Sequence, residues 1–526
     1  MKGYPNRKFL IDGFTQGFKI HFNGDEHETS CRNAVSIKDY EDEVTYKINQ
    51  EVLLGRISGP YAVPPLANFR CSPLAVREKK MQVNLTKITT IQGTKTLKKI
   101  RLLHNLSHPH DGTSVNENIP KQYTTVKYAR FADAVALIQS EGEGCFLAKS
   151  DIADAFRLIP LHPSQYHLMG FSFNSQYYFD KCLPMGCSEA CAIFEEFSNG
   201  LKWILQKKFG VRNIVKILDD FLFVHRKQLV CSGYLNLFRM LCDVLKTPLA
   251  HHKTEGPTVS LEFYGIQIDT KQMTASLPQD KLVAYLEDIN VVLDHKKIKL
   301  RNLQSIIGKL LFATAVVTVG RAFLRRLYDL TKKVSKPYYC IRLTHETKED
   351  LRTWITFLQR YNGVTIIKEM PVTDSNRLHM YADASAYGYG CTFGQFWLQG
   401  RWPADWASLN IAVLELYPVL VLISTFAQYI QGQQVTFHSD NAAVVAVLSS
   451  KTSSCPHMMA ILRPLVLTLL NYNISLASLH IPGQQNFLCD FLSRKQATPK
   501  LISDFGLFPY PTPVATELLP EAFKFN

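Results

Sequence analysis

The chain has 526 residues, enough for three or four domains at roughly 150 residues each, which excludes a single small module. Hydrophobic residues make up 46% and charged residues 20%, enough apolar material for real cores and too little charge for wholesale disorder. Lys and Arg number 59 against 45 Asp and Glu, and the net charge of +14 fits a polyanionic partner, either nucleic acid or an acidic membrane surface.

Met1 to Leu10 carries basic residues with no apolar run behind them, so no secretory signal is read there. Residues 1–59, polar with an acidic patch at Asp39, Glu41, Asp42 and Glu43, read as an N-terminal extension of no assigned role. Pro60 to Pro73 holds four prolines after Gly59 and reads as a semi-rigid connector. From Arg77 to Arg101 eight basic residues face one acid, Glu78, a pattern for phosphate contact or for a solvated face. Phe146 to Ile159 has the pattern of a buried strand running into a turn and helix. Gly170 to Phe179 reads as a hairpin about Asn174-Ser175. Cys187 to Gln206 is helical in period, and Asn213 to Val224 is a strand pair interrupted by Asp219-Asp220. Leu282 to Leu330 reads as largely helical, and Thr344 to Leu358 as another helix. After a break near Val372 to Asn376, Leu378 to Trp397 is β-rich. Ile411 to Tyr429 reads as a helix, and with Glu415 and Pro418 inside it falls short of the roughly 18 apolar residues of a membrane span. A strand at Val435 to Ser439 leads into a helix from Asn441, followed by a helix at His457 to Leu470, a strand at Ser475 to Ile481 and a helix at Asn486 to Arg494. That succession is the order of an α/β domain. The tail from Gln496 has five prolines and no clear period, and reads as a linker.

Asp151 and the pair Asp219-Asp220 each sit inside an apolar strand, where a carboxylate is expensive to desolvate unless a cation pairs with it. Two adjacent aspartates in one strand point to opposite faces, so a tight turn exposing both at a hairpin tip is expected. Taken alone, the dipeptide reads as a surface turn. With Asp151 alongside, three acids suit two divalent cations about 3.5–4 Å apart, the arrangement that serves phosphoryl transfer. Mg2+ fits such hard oxygen ligands.

The segment Asp151-Ile-Ala-Asp154-Ala-Phe156 resembles motif A of reverse transcriptases. Leu183-Pro-Met-Gly186-Cys-Ser188 with Phe194 resembles motif B, and Ile217-Leu-Asp219-Asp220 the Tyr-x-Asp-Asp box. Lys253 resembles the motif D lysine, Phe263-Tyr264-Gly265 the primer grip, and Arg101-Leu-Leu-His-Asn-Leu-Ser107 the fingers motif that meets the incoming triphosphate. The wording Lys181-Cys-Leu-Pro-Met-Gly-Cys-Ser188 is most similar to polymerases of DIRS-like (tyrosine-recombinase) retrotransposons, and the resemblance runs from about Pro60 to Lys336. It implies Asp151, Asp219 and Asp220 as metal ligands, two Mg2+ per site with Mn2+ as a substitute. It also implies a nucleotide site of Arg101, Asp154, Phe156, Gly186 and Lys253, and a primer grip at Tyr264 and Gly265. Phe156, by itself an ordinary core residue, would exclude a 2′-hydroxyl. Gly186 would let backbone approach the templating pair, and Arg101 and Lys253 would neutralise the triphosphate. Ile217 stands where the family has tyrosine, and Met185 where retroviral enzymes have glutamine.

A second series comprises Asp383, Glu415, Asp440 and Asp490. Each alone reads as a cap, a turn former or an exposed acid; four together again suit two Mg2+ ions, holding a hydrolytic water against a phosphodiester. With His480-Ile-Pro-Gly483-Gln-Gln-Asn486 they resemble ribonuclease H over about Arg377 to Lys495, which implies His480 as a mobile loop histidine aiding release. Glycines 388, 390 and 394 do not fit Gly-x-Gly-x-x-Gly and read as packing glycines. The twelve cysteines are scattered and read as reduced thiols. Cys182, Cys187 and Cys191 lack zinc-site spacing and read as core thiols.

The expected fold class is α/β with an α+β palm: fingers and palm at 60–275, thumb at 276–336, connection at 337–376, ribonuclease H at 377–495 and a tail at 496–526. The expected function is RNA-directed DNA polymerase with fused ribonuclease H. Its expected partners are an RNA template, a DNA primer, the RNA–DNA hybrid and deoxynucleoside triphosphates, with no membrane, and with separate recombinase and capsid proteins of the same element. The expected location is intracellular, cytoplasmic or nuclear. Two rivals are a catalytically lapsed nucleic-acid-binding protein derived from such an element, which Ile217 would favour, and a nuclease alone.

Overall fold

The computed structural model describes residues 3–78, 86–90, 93–332, 334–363, 365–366, 378–496 and 498–525. Lys79, Lys80, Arg377 and the break at 372–376 lie outside these residues, as do the side chains of Lys87 and Lys95. The chain forms two compact units, Met1–Tyr264 and Gly265–Asn526. No described helix is long and apolar enough to cross a membrane.

The first unit opens with α1 (Arg7–Gln16) and α2 (Glu41–Leu53), followed by β1 (Ile57–Tyr61), β2 (Leu74–Glu78), β3 (Thr86–Thr90), β4 (Gly93–Leu97) and β5 (Ile100–His104). Short α3 (Lys121–Thr124) and α4 (Phe131–Glu141) lead to β6 (Phe146–Asp151), the hairpin β7 (Gly170–Phe173) and β8 (Gln176–Asp180), and α5 (Ala190–Lys208). Then come β9 (Ile214–Ile217), β10 (Asp220–His225), α6 (Gln228–Val244), β11 (Glu255–Thr258) and β12 (Ser260–Phe263). The central sheet has the order β11-β6-β10-β9, all neighbours antiparallel. Phe221 and Phe223 of β10 are fully buried against Phe238 of α6, the first stacked and the second tilted, part of one continuous apolar core that also takes in α5. Burial on this scale is the dominant favourable term for such a unit. A second core joins Val44 and Ile48 of α2 to Ile57, Leu74, Phe171 and Tyr178, and supports the sheet β1-β8-β7. The turn residues of the β7–β8 hairpin, Asn174 and Ser175, both take left-handed φ (+49° and +59°), the two-residue turn that matches strand twist.

Residues 1–59 are not an appended extension. Leu10, Phe18 and Ile20 enter the main core, and Phe18 exchanges main-chain hydrogen bonds with Pro160 and His162. His21 binds Glu189 through its main-chain N–H (2.8 Å) and through Nδ1 (2.6 Å). The buried apolar residues here are spaced among polar ones, so no period marks them, but Leu10, Phe18 and Ile20 fill core positions.

The second unit contains β13 (Ile266–Asp269), β14 (Thr274–Ser276), α7 (Gln279–Leu293), β15 (Lys297–Lys299), α8 (Leu300–Ala313), α9 (Arg325–Thr331), β16 (Cys340–Arg342), α10 (His345–Arg360) and β17 (Thr365–Ile366). The expected helical stretch 282–330 is therefore broken. Lys297–Lys299 pairs with β16, placing buried Ile298 opposite buried Ile341. Thr344 caps α10 by accepting from the Thr347 N–H at 3.2 Å. A five-stranded sheet follows, made of β18 (Tyr381–Ala384), β19 (Gly388–Phe393), β20 (Phe396–Arg401), β21 (Gln434–Ser439) and β22 (Ser475–His480). Its order is β20-β19-β18-β21-β22, with the first two pairings antiparallel and the last two parallel. Its helices are α11 (Ile411–Phe426), α12 (Ala442–Ser450), α13 (Pro456–Asn471) and α14 (Phe487–Ser493).

The tail is likewise not a linker. It forms α15 (Pro499–Asp504), buries Ile502 and Leu507 against Trp397 and Leu492, and receives the Trp397 indole N–H on Phe508 O at 2.8 Å. Farther on, Phe523 and Phe525 pack against Trp406, and Phe523 also meets Tyr417. The prolines suppress helical period there and leave an extended strap whose aromatic side chains do the anchoring.

Candidate active sites

Asp151 closes β6 and stands directly opposite Asp220, the first residue of β10. Asp219 belongs to the short turn between β9 and β10, in which Leu218 takes φ +53°. The Ile152 N–H donates to Asp219 O at 3.0 Å, so the main chain itself ties the two segments. The two aspartates are not exposed at a free hairpin tip as expected. Both are half-buried, because β6 pairs along β10 as far as Asp220.

The electrostatics of this trio are those of anions short of counter-charge. Burial, the hydrogen bond with Asp151 and the charges of Asp151 and Asp219 hold the Asp220 carboxyl well above its usual range. Burial also raises Asp219, with the Asp151 charge adding to it. Lys253, in a single turn at His251–Lys253, donates to the Asp151 carboxylate. Burial works against its charge, yet the bond to Asp151 and the neighbouring acids win and raise its pKa. Glu195 supports the turn from below. It accepts from the Leu218 N–H at 3.2 Å and from the Lys216 ammonium at 2.6 Å, with burial pushing Lys216 down to about 8.

Around the trio, Asp154 is exposed in a left-handed conformation and accepts from Arg56 at 2.9 Å, and Phe156 lies edge-on to Phe194 at 5.9 Å between ring centroids. Arg101 is exposed on β5, opposite Arg77 of β2, and is not bonded to the trio. Gly186 has an intramolecular reason to be glycine. Its φ is +139°, and a Cβ there would lie 1.9 Å from His104 O. Tyr264 and Gly265 both take positive φ (+51° and +77°), and the Gly265 carbonyl accepts from Lys281 at 2.8 Å.

The second acidic group gathers about β18. Asp383 is buried on that strand, and its carboxyl is raised to about 6 by burial first, then by the charges of Asp440 and Asp490, against a hydrogen bond from Ser493 at 3.1 Å. Glu415, from α11, is raised to about 7 by burial, with Asp383 and Asp440 adding and a hydrogen bond from Asn441 opposing. Asp440 follows β21, where Asn486 donates to its Oδ1 at 3.1 Å. Asp490, on α14, accepts from Arg494 at 2.8 Å. Gly390 makes this gathering sterically feasible: a Cβ there would meet Leu492 Cβ at 2.3 Å and Cys489 O at 2.7 Å, so only glycine lets α14 lie so close to β19. A Cβ on Gly388 would likewise meet Gly400 O at 2.0 Å, in keeping with packing glycines. His480 is exposed at the end of β22, with Nε2 at 3.1 Å from Asp440 O; a carbonyl only accepts, so that nitrogen donates.

Among the described residues, no three Asp, Glu, His or Cys side chains converge tightly enough to form a finished metal cage, Cys182, Cys187 and Cys191 included. Lys253, Ser493 and Arg494 each occupy one carboxylate oxygen of these groups. The donor sets nevertheless fit a divalent cation: hard oxygen atoms, buried or half-buried, with pKa values raised first by burial and then by the neighbouring acids. Sequence reasoning did not single out Asn441, Asn486 or Ser493. Asn486 is buried and bonds both Asp440 and Ala382 O, and its only sequence signal was its place in the His480 segment.

Residues 79–268 match the family model of reverse transcriptase (RNA-dependent DNA polymerase). That stretch therefore matches a reverse transcriptase domain, and the fold around it is of mixed helix and sheet. No curated protein matches the sequence. Among solved structures, a foamy viral protease-reverse transcriptase in complex with double-stranded DNA is similar at 13% identity and a TM-score of 0.47, over 88% of this chain and 74% of that one. Another, in complex with RNA/DNA hybrid, is similar at 12% identity and a TM-score of 0.47, over 88% of this chain and 56% of that one. A third, with double-stranded DNA, stands at 13% identity and a TM-score of 0.44, over 90% and 93% of the two chains.

Proposed function

We propose that the chain copies RNA into DNA at the Asp151–Asp219–Asp220 trio and cuts the RNA strand of the resulting hybrid at the Asp383–Glu415–Asp440–Asp490 quartet, the work of a polymerase fused to a ribonuclease H. The observation that carries the reading is that two separate groups of buried and half-buried carboxylates, each with more acids than paired cations, lie at the positions of the two motif sets. The mixed sheet of the second unit, β20-β19-β18-β21-β22, supports a ribonuclease H-like fold there. The domain limits follow as proposals: fingers and palm at 60–275, thumb at 276–336, connection at 337–376 and the nuclease at 377–495.

Asp151, Asp219 and Asp220 would hold the divalent ions of the polymerase, Mg2+ or Mn2+, and the quartet those of the nuclease. Bound there, such ions polarise phosphoryl oxygens and lower the pKa of a bound nucleophile. The chain's own residues do the rest. Phe156 presents a rigid face at the sugar, Arg101 and Lys253 meet triphosphate charge, Tyr264 and Gly265 form the turn at the primer end, and His480 sits at the mouth of the nuclease site. Template, primer, hybrid and deoxynucleoside triphosphates are the proposed partners. The Leu183-Pro-Met-Gly-Cys-Ser188 wording supports the further proposal of a DIRS-like retrotransposon source, with separate recombinase and capsid proteins and an intracellular site of action.

Primer extension on an RNA template tests the reading. Wild type should incorporate deoxynucleotides with Mg2+, and Asp151→Asn should abolish synthesis while sparing hybrid cleavage. No incorporation by wild type with either Mg2+ or Mn2+ would instead support a lapsed nucleic-acid-binding protein.

A further inference from the structure

A buried cluster of charged and polar side chains, of which only His104 falls within a quoted motif, lies among the three segments proposed to hold the nucleotide. Asp180, at the end of β8, is buried and spends its two oxygens on different segments. Oδ1 accepts from Arg157 Nη1 at 2.6 Å, and Oδ2 lies 2.9 Å from His104 Nδ1. Arg157 immediately follows Phe156, and its Nε donates to Glu51 of α2 at 2.9 Å. His104 ends the strand that carries Arg101, and its Nε2 lies 3.0 Å from Gly170 O. A carbonyl and a carboxylate can only accept, so both His104 ring nitrogens face acceptors. Burial alone would raise the Asp180 carboxyl, but Arg157 and His104 hold it below its usual range. The third segment is joined through the main chain: His104 N–H donates to Met185 O at 3.0 Å, and His104 O is the atom that forbids a Cβ on Gly186.

We propose that Asp180 is a positioning residue for the incoming nucleotide: by bonding Arg157 with one oxygen and His104 with the other, it locks the Phe156 turn to the Arg101 strand and the Gly186 loop. Sugar selection and triphosphate contact are then set together rather than separately. Glu51 braces Arg157 from the opposite side, which gives the N-terminal segment a part in the site. The inference rests on the proposed polymerase activity.

The experiment is steady-state primer extension by the full chain and by Asp180→Asn, which keeps the shape and removes the charge. Hydrogen bonds to charged groups are each worth enough that their loss should raise the KM for deoxynucleotides roughly ten- to a hundredfold. Discrimination against ribonucleotides should fall, kcat should change by less than about threefold, and primer–template affinity should hold, as it depends on phosphate contacts elsewhere. Glu51→Gln, whose partner Arg157 keeps Asp180, should show the same pattern more weakly and guards against an Asp180 variant that does not fold. Combined with Phe156→Ala, Asp180→Asn should add little further loss of discrimination, since residues acting as a unit are non-additive. A wild type that polymerises while Asp180→Asn and Glu51→Gln keep its KM and its sugar discrimination overturns the positioning role and leaves the polymerase standing. A loss confined to kcat or to folded yield also overturns it. A wild type without synthesis overturns the polymerase reading itself.

Discussion

The quartet in the second unit makes a quantitative forecast about acid and magnesium. In the ion-free protein Asp383 titrates at about 6 and Glu415 at about 7, against 3.8 and 4.5 for the ordinary groups. Folded pKa values above the unfolded ones mean that the folded state binds more protons between them, so this contribution to stability is present at low pH and lost as pH rises through 6 and 7. Between pH 5 and pH 8 the two groups taken separately would forfeit about 4 kcal/mol, and halving for solvent screening and for their mutual coupling leaves about 2 kcal/mol. In a unit of this size that corresponds to roughly 4–8 °C in Tm. The assay is scanning calorimetry of the full chain across pH 5–8, with and without Mg2+, beside an Asp383→Asn/Glu415→Gln variant. Without Mg2+, the variant should lose less stability than wild type as pH rises. Mg2+ should stabilise wild type more at pH 8 than at pH 5, because at pH 5 it must displace protons. Equal pH slopes for the two proteins, or a larger Mg2+ effect at pH 5, would refute the reasoning.

Gly390→Ala should cost more than about 2 kcal/mol and depress hybrid cleavage with primer extension intact, because Leu492 Cβ stands 2.3 Å from the added carbon; urea unfolding beside both activity assays checks it. Lys216→Met should destabilise by about 3–5 kcal/mol, leaving Glu195 buried without its ammonium beneath the Leu218 turn, and this is measured by denaturant titration. Phe523→Ala should cost about 3 kcal/mol by uncovering Trp406 and Tyr417, seen as a lowered Tm. Binding of an RNA–DNA duplex should weaken steeply between roughly 50 and 200 mM salt, measured by fluorescence anisotropy; an affinity indifferent to salt would contradict backbone tracking by the basic runs.

What could be read from the residues alone was local. Asn174-Ser175 between aromatic runs specifies a tight hairpin, which forms as expected. The acids stood out because carboxylates interrupt apolar strands at Asp151, Asp219 and Asp220. Features made by residues distant in the chain were illegible. The Asp180 cluster draws on positions 51, 104, 157 and 180, and nothing in the neighbourhood of any one of them announces the other three. The lysines at 297 and 299 disguised a strand whose pairing partner lies more than forty residues later. Proline in the tail and polarity in residues 1–59 hid side chains that complete cores formed by other segments. Gly186 and Gly390 were legible as glycines, but the atoms that demand them, His104 O and Leu492 Cβ, belong to other elements.

The claim that two independent acidic centres serve two reactions is tested most directly by assaying both reactions on the same preparations of Asp220→Asn and Asp440→Asn. The account predicts a double dissociation: Asp220→Asn cuts the hybrid but extends no primer, and Asp440→Asn extends primers but leaves the hybrid whole. Either substitution removing both activities at unchanged Tm, or neither removing any, would contradict it.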